Sequence, residues 1–96
     1  MTVFKLDDEL SFAIERSEKR ARLIVYKNGV ENVCRKETFG NLNRFILLDE
    51  GHLFKGRLQL NKDNTGIGIE VKGKLMGTIK TEEFLSCLKE AKSIGI

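Results

Sequence analysis

The chain has 96 residues, 41% of them hydrophobic and 32% charged, with a formal net charge of +3 and a sequence pI near 9.0. That length suits a single domain with one core, and the composition excludes a disordered chain and a membrane-embedded one. Basic residues (17) nearly balance acidic ones (14), so where the charges fall matters more than their sum.

Thr2 to Asp7 sets Val3 and Lys5 against Phe4 and Leu6, which predicts a short strand. This start has neither the basic opening nor the apolar stretch of a secretion signal, and a cytoplasmic protein is expected. Leu10, Phe12 and Ile14 alternate with Ser11, Ala13 and Glu15 in a second strand, and Ser17-Glu18-Lys19-Arg20 is polar enough to turn the chain. Arg20 to Lys27 carries Leu23-Ile24-Val25-Tyr26, a β-branched and aromatic run. Asn28-Gly29 then supplies two residues that accept positive φ, a strong hairpin signal, with Val30 to Lys36 as the returning strand.

Glu37 to Gly51 admits two readings. Thr38 would cap a helix with Phe39, Leu42, Phe45 and Ile46 on one face. Against it, Gly40, Asn41 and Asn43 are poor helix formers, and Asp49 and Glu50 would oppose the negative helix end. The balance favours a buried strand from Arg44 to Leu48, with Asp49-Glu50-Gly51 as a hairpin loop. Within it, Phe45-Ile46-Leu47-Leu48 is the longest apolar run of the chain, far short of a bilayer span, and no membrane association is expected.

Phe54 to Lys92 carries the clearest pattern. Phe54, Leu58 and Leu60 alternate with Lys55, Arg57 and Gln59; Ile67, Ile69 and Val71 oppose Glu70 and Lys72; Leu75 and Ile79 oppose Lys74, Thr78 and Lys80. The alternation predicts a half-buried antiparallel sheet whose open face carries Lys55, Arg57, Gln59, Lys72, Lys74 and Lys80. Thr81 then reads as a helix cap, with Glu82 and Glu83 at the positive end, an apolar stripe of Phe84, Leu85, Leu88 and Ala91, and Gly95 to end the helix. The fold class is α+β: an antiparallel β-meander sheet or partly open barrel of about six to eight strands, covered by the amphipathic helix from Glu82 to Lys92. The halves invite comparison as ββα repeats, Glu37-Thr38-Phe39 echoing Lys80-Thr81-Glu82, but few positions match.

Catalytic chemistry finds little support. His52 is the only histidine and sits beside Glu50 and Gly51 with no nucleophile motif around it. Asp7-Asp8-Glu9 and Asp49-Glu50 read as solvated turns, where carboxyl groups stay too acidic for proton transfer near neutrality. Asn61-Lys62-Asp63-Asn64-Thr65-Gly66 starts like a calcium loop, but its twelfth position is Lys72 where a bidentate glutamate is required, so a hairpin turn is expected and no metal or cofactor. Cys34 and Cys87 lack metal-ligand spacing and read as reduced, packed thiols.

Gly77-Thr78-Ile79-Lys80-Thr81-Glu82-Glu83-Phe84 slightly resembles the end of the PC4-like single-stranded DNA-binding coactivator family. There a curved antiparallel sheet ends in a glycine-leading strand and a capped helix bearing an aromatic, which implies single-stranded DNA or RNA as ligand of the basic sheet face. In this chain the aromatic, Phe84, comes one residue before the place the family pattern gives it, which Leu85 holds. Single-strand binders add aromatic stacking to a basic groove, and the predicted open face offers no aromatic except Tyr26, from the other hairpin. The expected function is therefore a small non-enzymatic binding module acting on a partner protein, as an adaptor or an inhibitor of a larger machinery of the kind mobile elements carry. Nucleic acid is the alternative, and a homodimer through edge strands is compatible with the pattern.

Overall fold

The structure, a computed structural model, describes residues 3–93; the expectations for Thr2 and Gly95 lie outside them. Along the described chain run β1 (Val3–Lys5), β2 (Leu10–Ser17), β3 (Arg20–Lys27), β4 (Val30–Thr38), α1 (Phe39–Ile46), β5 (Gly51–Leu53), β6 (Leu58–Asp63), β7 (Gly66–Val71), β8 (Lys74–Ile79) and α2 (Thr81–Ser93). The class is α+β, but the strands do not join in one sheet or barrel. They form two four-stranded antiparallel sheets, β1-β2-β3-β4 and β5-β6-β7-β8, each a meander of neighbouring hairpins. What divides them is the segment from Glu37 to Gly51.

That segment is a helix, not the strand expected over Arg44 to Leu48. Thr38, in extended conformation, caps α1 by accepting the Asn41 backbone N–H on its hydroxyl at 3.1 Å. Glu37 adds a second tie, since its carboxylate accepts from the Asn41 side-chain amide at 3.0 Å and from the Thr38 N–H at 2.8 Å. Asn41, a weak helix former by propensity, is thus the residue that anchors the helix start. The helix ends at Ile46, before Asp49 and Glu50, so the expected clash with the helix dipole does not arise. Leu47 is 83% exposed and Leu48 47%, which a buried strand would not allow.

The two sheets follow one plan. Asn28-Gly29 joins β3 to β4 with φ of 52° and 79°, and Lys72-Gly73 joins β7 to β8 with φ of 53° and 81°. The Asn28 N–H donates to the Glu9 carbonyl and the Lys72 N–H to the Arg57 carbonyl, both at 2.7 Å. Just beyond each turn the register slips by one residue: Asn32 is extra in β4 opposite Val25/Tyr26, and Met76 is extra in β8 opposite Ile69/Glu70. Each half closes with a helix. The repeated unit is therefore ββββα, longer than the ββα echo in the sequence.

One apolar cluster holds both halves together. It takes Phe12, Ile14, Leu23 and Val25 from the first sheet, Leu58, Leu60, Ile67, Ile69 and Val71 from the second, Phe39, Leu42 and Phe45 from α1, and Phe84, Cys87, Leu88 and Ala91 from α2. The helix of the second half packs most extensively on β2 of the first. The Phe84 ring stacks on Phe12 with centroids 6.0 Å apart, and Arg16 donates to the Lys92 carbonyl at 2.7 Å. Meanwhile α1 lies against α2 and β5. Burying a side chain such as Phe84 or Leu88 contributes about 1.5–3 kcal/mol. The flanks are tied as well: Leu6 packs over Gly77, where an added Cβ would meet its Cδ2 at 3.1 Å, and Arg35 donates to the Lys55 carbonyl at 2.8 Å with its guanidinium 5.0 Å from the Phe54 ring centre. α2 begins one residue before the expected helix: Thr81 is already helical, and the Phe84 N–H bonds to the Lys80 carbonyl at 3.0 Å.

Candidate functional site

The basic row expected on the second sheet does not assemble. Lys55 lies in a bend between Phe54 and Gly56, whose φ values of 74° and 107° interrupt the strand expected from Phe54 onward. Arg57 precedes β6 and Lys72 sits in the β7–β8 turn. Lys74 opens β8 opposite Val71, on the parity of the core face, and Lys80 lies between β8 and α2. Of the six, only Gln59 stands on the open face within a strand, paired with Glu70, and its side-chain amide donates to the Gly56 carbonyl at 2.9 Å.

Cross-strand partners share a face, so the register shows what the open face of the second sheet carries. His52 pairs with Asn61, Asn61 with Gly68, Gly68 with Thr78, and Glu70 with Leu75. Leu75 was expected in the core, but the extra residue Met76 turns it outward, where it is 59% exposed. The result is an uncharged and acidic surface. His52 is exposed and hydrogen-bonds through Nδ1 to the Asn61 side chain and through Nε2 to the Phe54 carbonyl. Asp63 accepts from the Thr65 N–H at 2.8 Å and from its hydroxyl at 2.6 Å, which holds its carboxyl below the ordinary value. Among the described residues no group of three or more His, Cys, Asp and Glu comes together as metal ligands would.

The cations and the aromatic meet on the first sheet instead. Its open face is built in rows: Lys5, Ser11, Tyr26 and Glu31; then Val3, Ala13, Ile24 and Cys34; then Glu15, Arg22 and Lys36; then Ser17, Arg20 and Thr38. Ala13 and Ile24 form a fully buried floor that stands outside the core cluster. Both helices pack with the core on the opposite side of this sheet. Cys34, expected to be packed, is exposed here, whereas Cys87 is buried and its thiol is pushed up by that burial.

The charges on this face are unequal in freedom. Arg22 is clamped by Glu31 and by Glu15, the latter at 2.8 Å, and these two hydrogen bonds raise its already high pKa. Lys5, Arg20 and Lys36 make no direct ion pair among the described residues, although Arg20 lies near enough to Glu37 to help hold that carboxyl down. Tyr26 is the aromatic expected from the sequence, whereas Arg20, Arg22 and Lys36 beside it are not among the expected site residues. The signal was present, since Arg20, Arg22, Ile24 and Tyr26 share one parity of the β3 run. Comparison with family models, with curated proteins and with solved structures returns no match for this chain.

Proposed function

We propose that the protein is a non-enzymatic module that binds single-stranded nucleic acid on the open face of its first sheet. The observation that carries this reading is the register that sets Tyr26 on the same uncovered face as Lys5, Arg20, Arg22 and Lys36. An unpaired strand exposes base faces for stacking and phosphates for cation contact, and the face offers an aromatic ring for the first and unpaired cations for the second. Ser11, Ser17 and Thr38 add hydroxyl donors between them. The glutamates argue for moderate affinity, because Arg22 neutralises only part of their charge.

The test is a salt titration of binding to an unstructured oligonucleotide. Affinity should fall steeply with added salt, since each neutralised phosphate releases counterions. Arg20→Glu with Lys36→Glu should abolish it, and Tyr26→Ala should cost about 1–3 kcal/mol. Undiminished binding by the charge-reversed protein would overturn the reading.

A partner protein is the second reading, and a separate observation favours it: Leu47 and Leu48 stand exposed side by side after α1. Recovery of one defined partner after nuclease treatment, lost on Leu47→Ser with Leu48→Ser, supports it; recovery of none counts against it.

A further inference from the structure

The open face of the first sheet ends in a recess. Ser17, Glu18, Lys19 and Arg20 of the β2–β3 turn, with Lys36 of β4, line a pocket of about 400 Å³. Lys19, Arg20 and Lys36 line this space with the Ser17 hydroxyl and one carboxylate, Glu18, and Glu37 lies near enough to Arg20 to feel its charge, so the cations remain in excess by one. The turn is held from behind, because Arg16 donates through Nε to the Glu18 carbonyl at 2.8 Å and through Nη1 to the Lys92 carbonyl of α2 at 2.7 Å. The pocket wall is therefore fixed to the helix that closes the core.

The charge balance distinguishes between kinds of phosphate. A diester within a strand carries one negative charge, while a monoester carries roughly −1.5 to −2 near neutral pH, with three strong acceptor oxygens. A planar guanidinium flanked by two ammonium groups matches the second better, through paired hydrogen bonds from arginine and point charges from lysine. Lys19 lies in the turn, beyond the paired rows of the sheet, so it serves the recess and not the face.

We propose that this recess receives a phosphate monoester, either the terminal phosphate of a strand lying on the sheet or that of a free mononucleotide. The strand form rests on the face reading given above; the mononucleotide form stands without it.

Three probes separate these cases: an oligothymidine with hydroxyl ends, the same strand phosphorylated at its 5′ or 3′ end, and adenosine monophosphate. If the strand end is the ligand, one phosphorylated form binds about tenfold more tightly than the hydroxyl form, the equivalent of one charge-assisted hydrogen bond. Lys19→Gln then removes that preference and leaves the hydroxyl-ended strand unaffected, while Tyr26→Ala weakens both strands alike. If no strand binds but adenosine monophosphate shifts the backbone amide resonances of Ser17 to Arg20, and Lys19→Gln abolishes the shift, the recess takes free mononucleotides and the face reading falls. Equal affinity for all strand ends together with no response to adenosine monophosphate overturns the proposal.

Discussion

Arg22 sits at the centre of the first sheet's open face and, among the described residues, is the cation there held in ion pairs, between Glu31 and Glu15. Removing Glu31 leaves the Glu15 contact in place and adds a positive charge to the face. Glu31→Gln should accordingly tighten oligonucleotide binding several-fold at low salt and little at high salt, where surface charges are screened. Glu37 responds to pH. Burial works to raise its carboxyl, but hydrogen bonds from Asn41 and Thr38 outweigh this and hold it below the ordinary value of 4.5. A depressed carboxyl stabilises the fold above that value and loses its contribution as the pH falls through its lower folded value. Thermal denaturation should show the melting temperature dropping as the pH is taken below 4.5, and Glu37→Gln should make that drop shallower. At this scale the sequence was partly legible. The alternation around Tyr26 is readable, but a basic row through Lys55, Arg57 and Gln59 needs Phe54 to Leu60 to be one unbroken strand. The positive φ at Phe54 and Gly56 ended that strand where no turn dipeptide announced it.

α1 is the element on which the strand and helix readings parted, and its cap is what decided between them. Propensity counts each residue alone, whereas Thr38, Glu37 and Asn41 act as one hydrogen-bonded group that satisfies donors at the helix start. Thr38→Ala should cost about 1 kcal/mol, read as a lower denaturation midpoint at unchanged slope. α2 was legible almost to its ends, because its amphipathic stripe and acidic first turn agree with each other. The hairpins at Asn28-Gly29 and around Asn64-Thr65 were legible for the same reason: turn residues and flanking alternation point the same way. The register slips at Asn32 and Met76 were not. A bulge adds one residue to an ordinary alternating run, and nothing in the run itself marks which residue is extra.

For the molecule as a whole, α+β was readable and the division into two sheets was not. Strand count follows from local pattern, but which strands join depends on what lies between them, and the doubtful segment before Gly51 was the divider. The repeat was equally hidden, because the halves share turns, register slips and backbone bonds more than residues. Phe84, from one half, is stacked on Phe12, from the other, and both are fully buried. Phe84→Ala should cost about 3–5 kcal/mol, and chemical denaturation should still show a single transition for both sheets, because they share one core.

The crossing of α2 onto β2 has a consequence for what happens when the chain is cut. A break in the loop at residues 47–50 severs no strand and no helix, yet it leaves the first fragment with the inner face of β2 uncovered and the second with a helix that has lost its seat. Neither piece closes its own apolar surface. Each is the missing lid of the other, so the two polypeptides mixed in equal amounts should recombine into the native form, as the chains of an obligate heterodimer do.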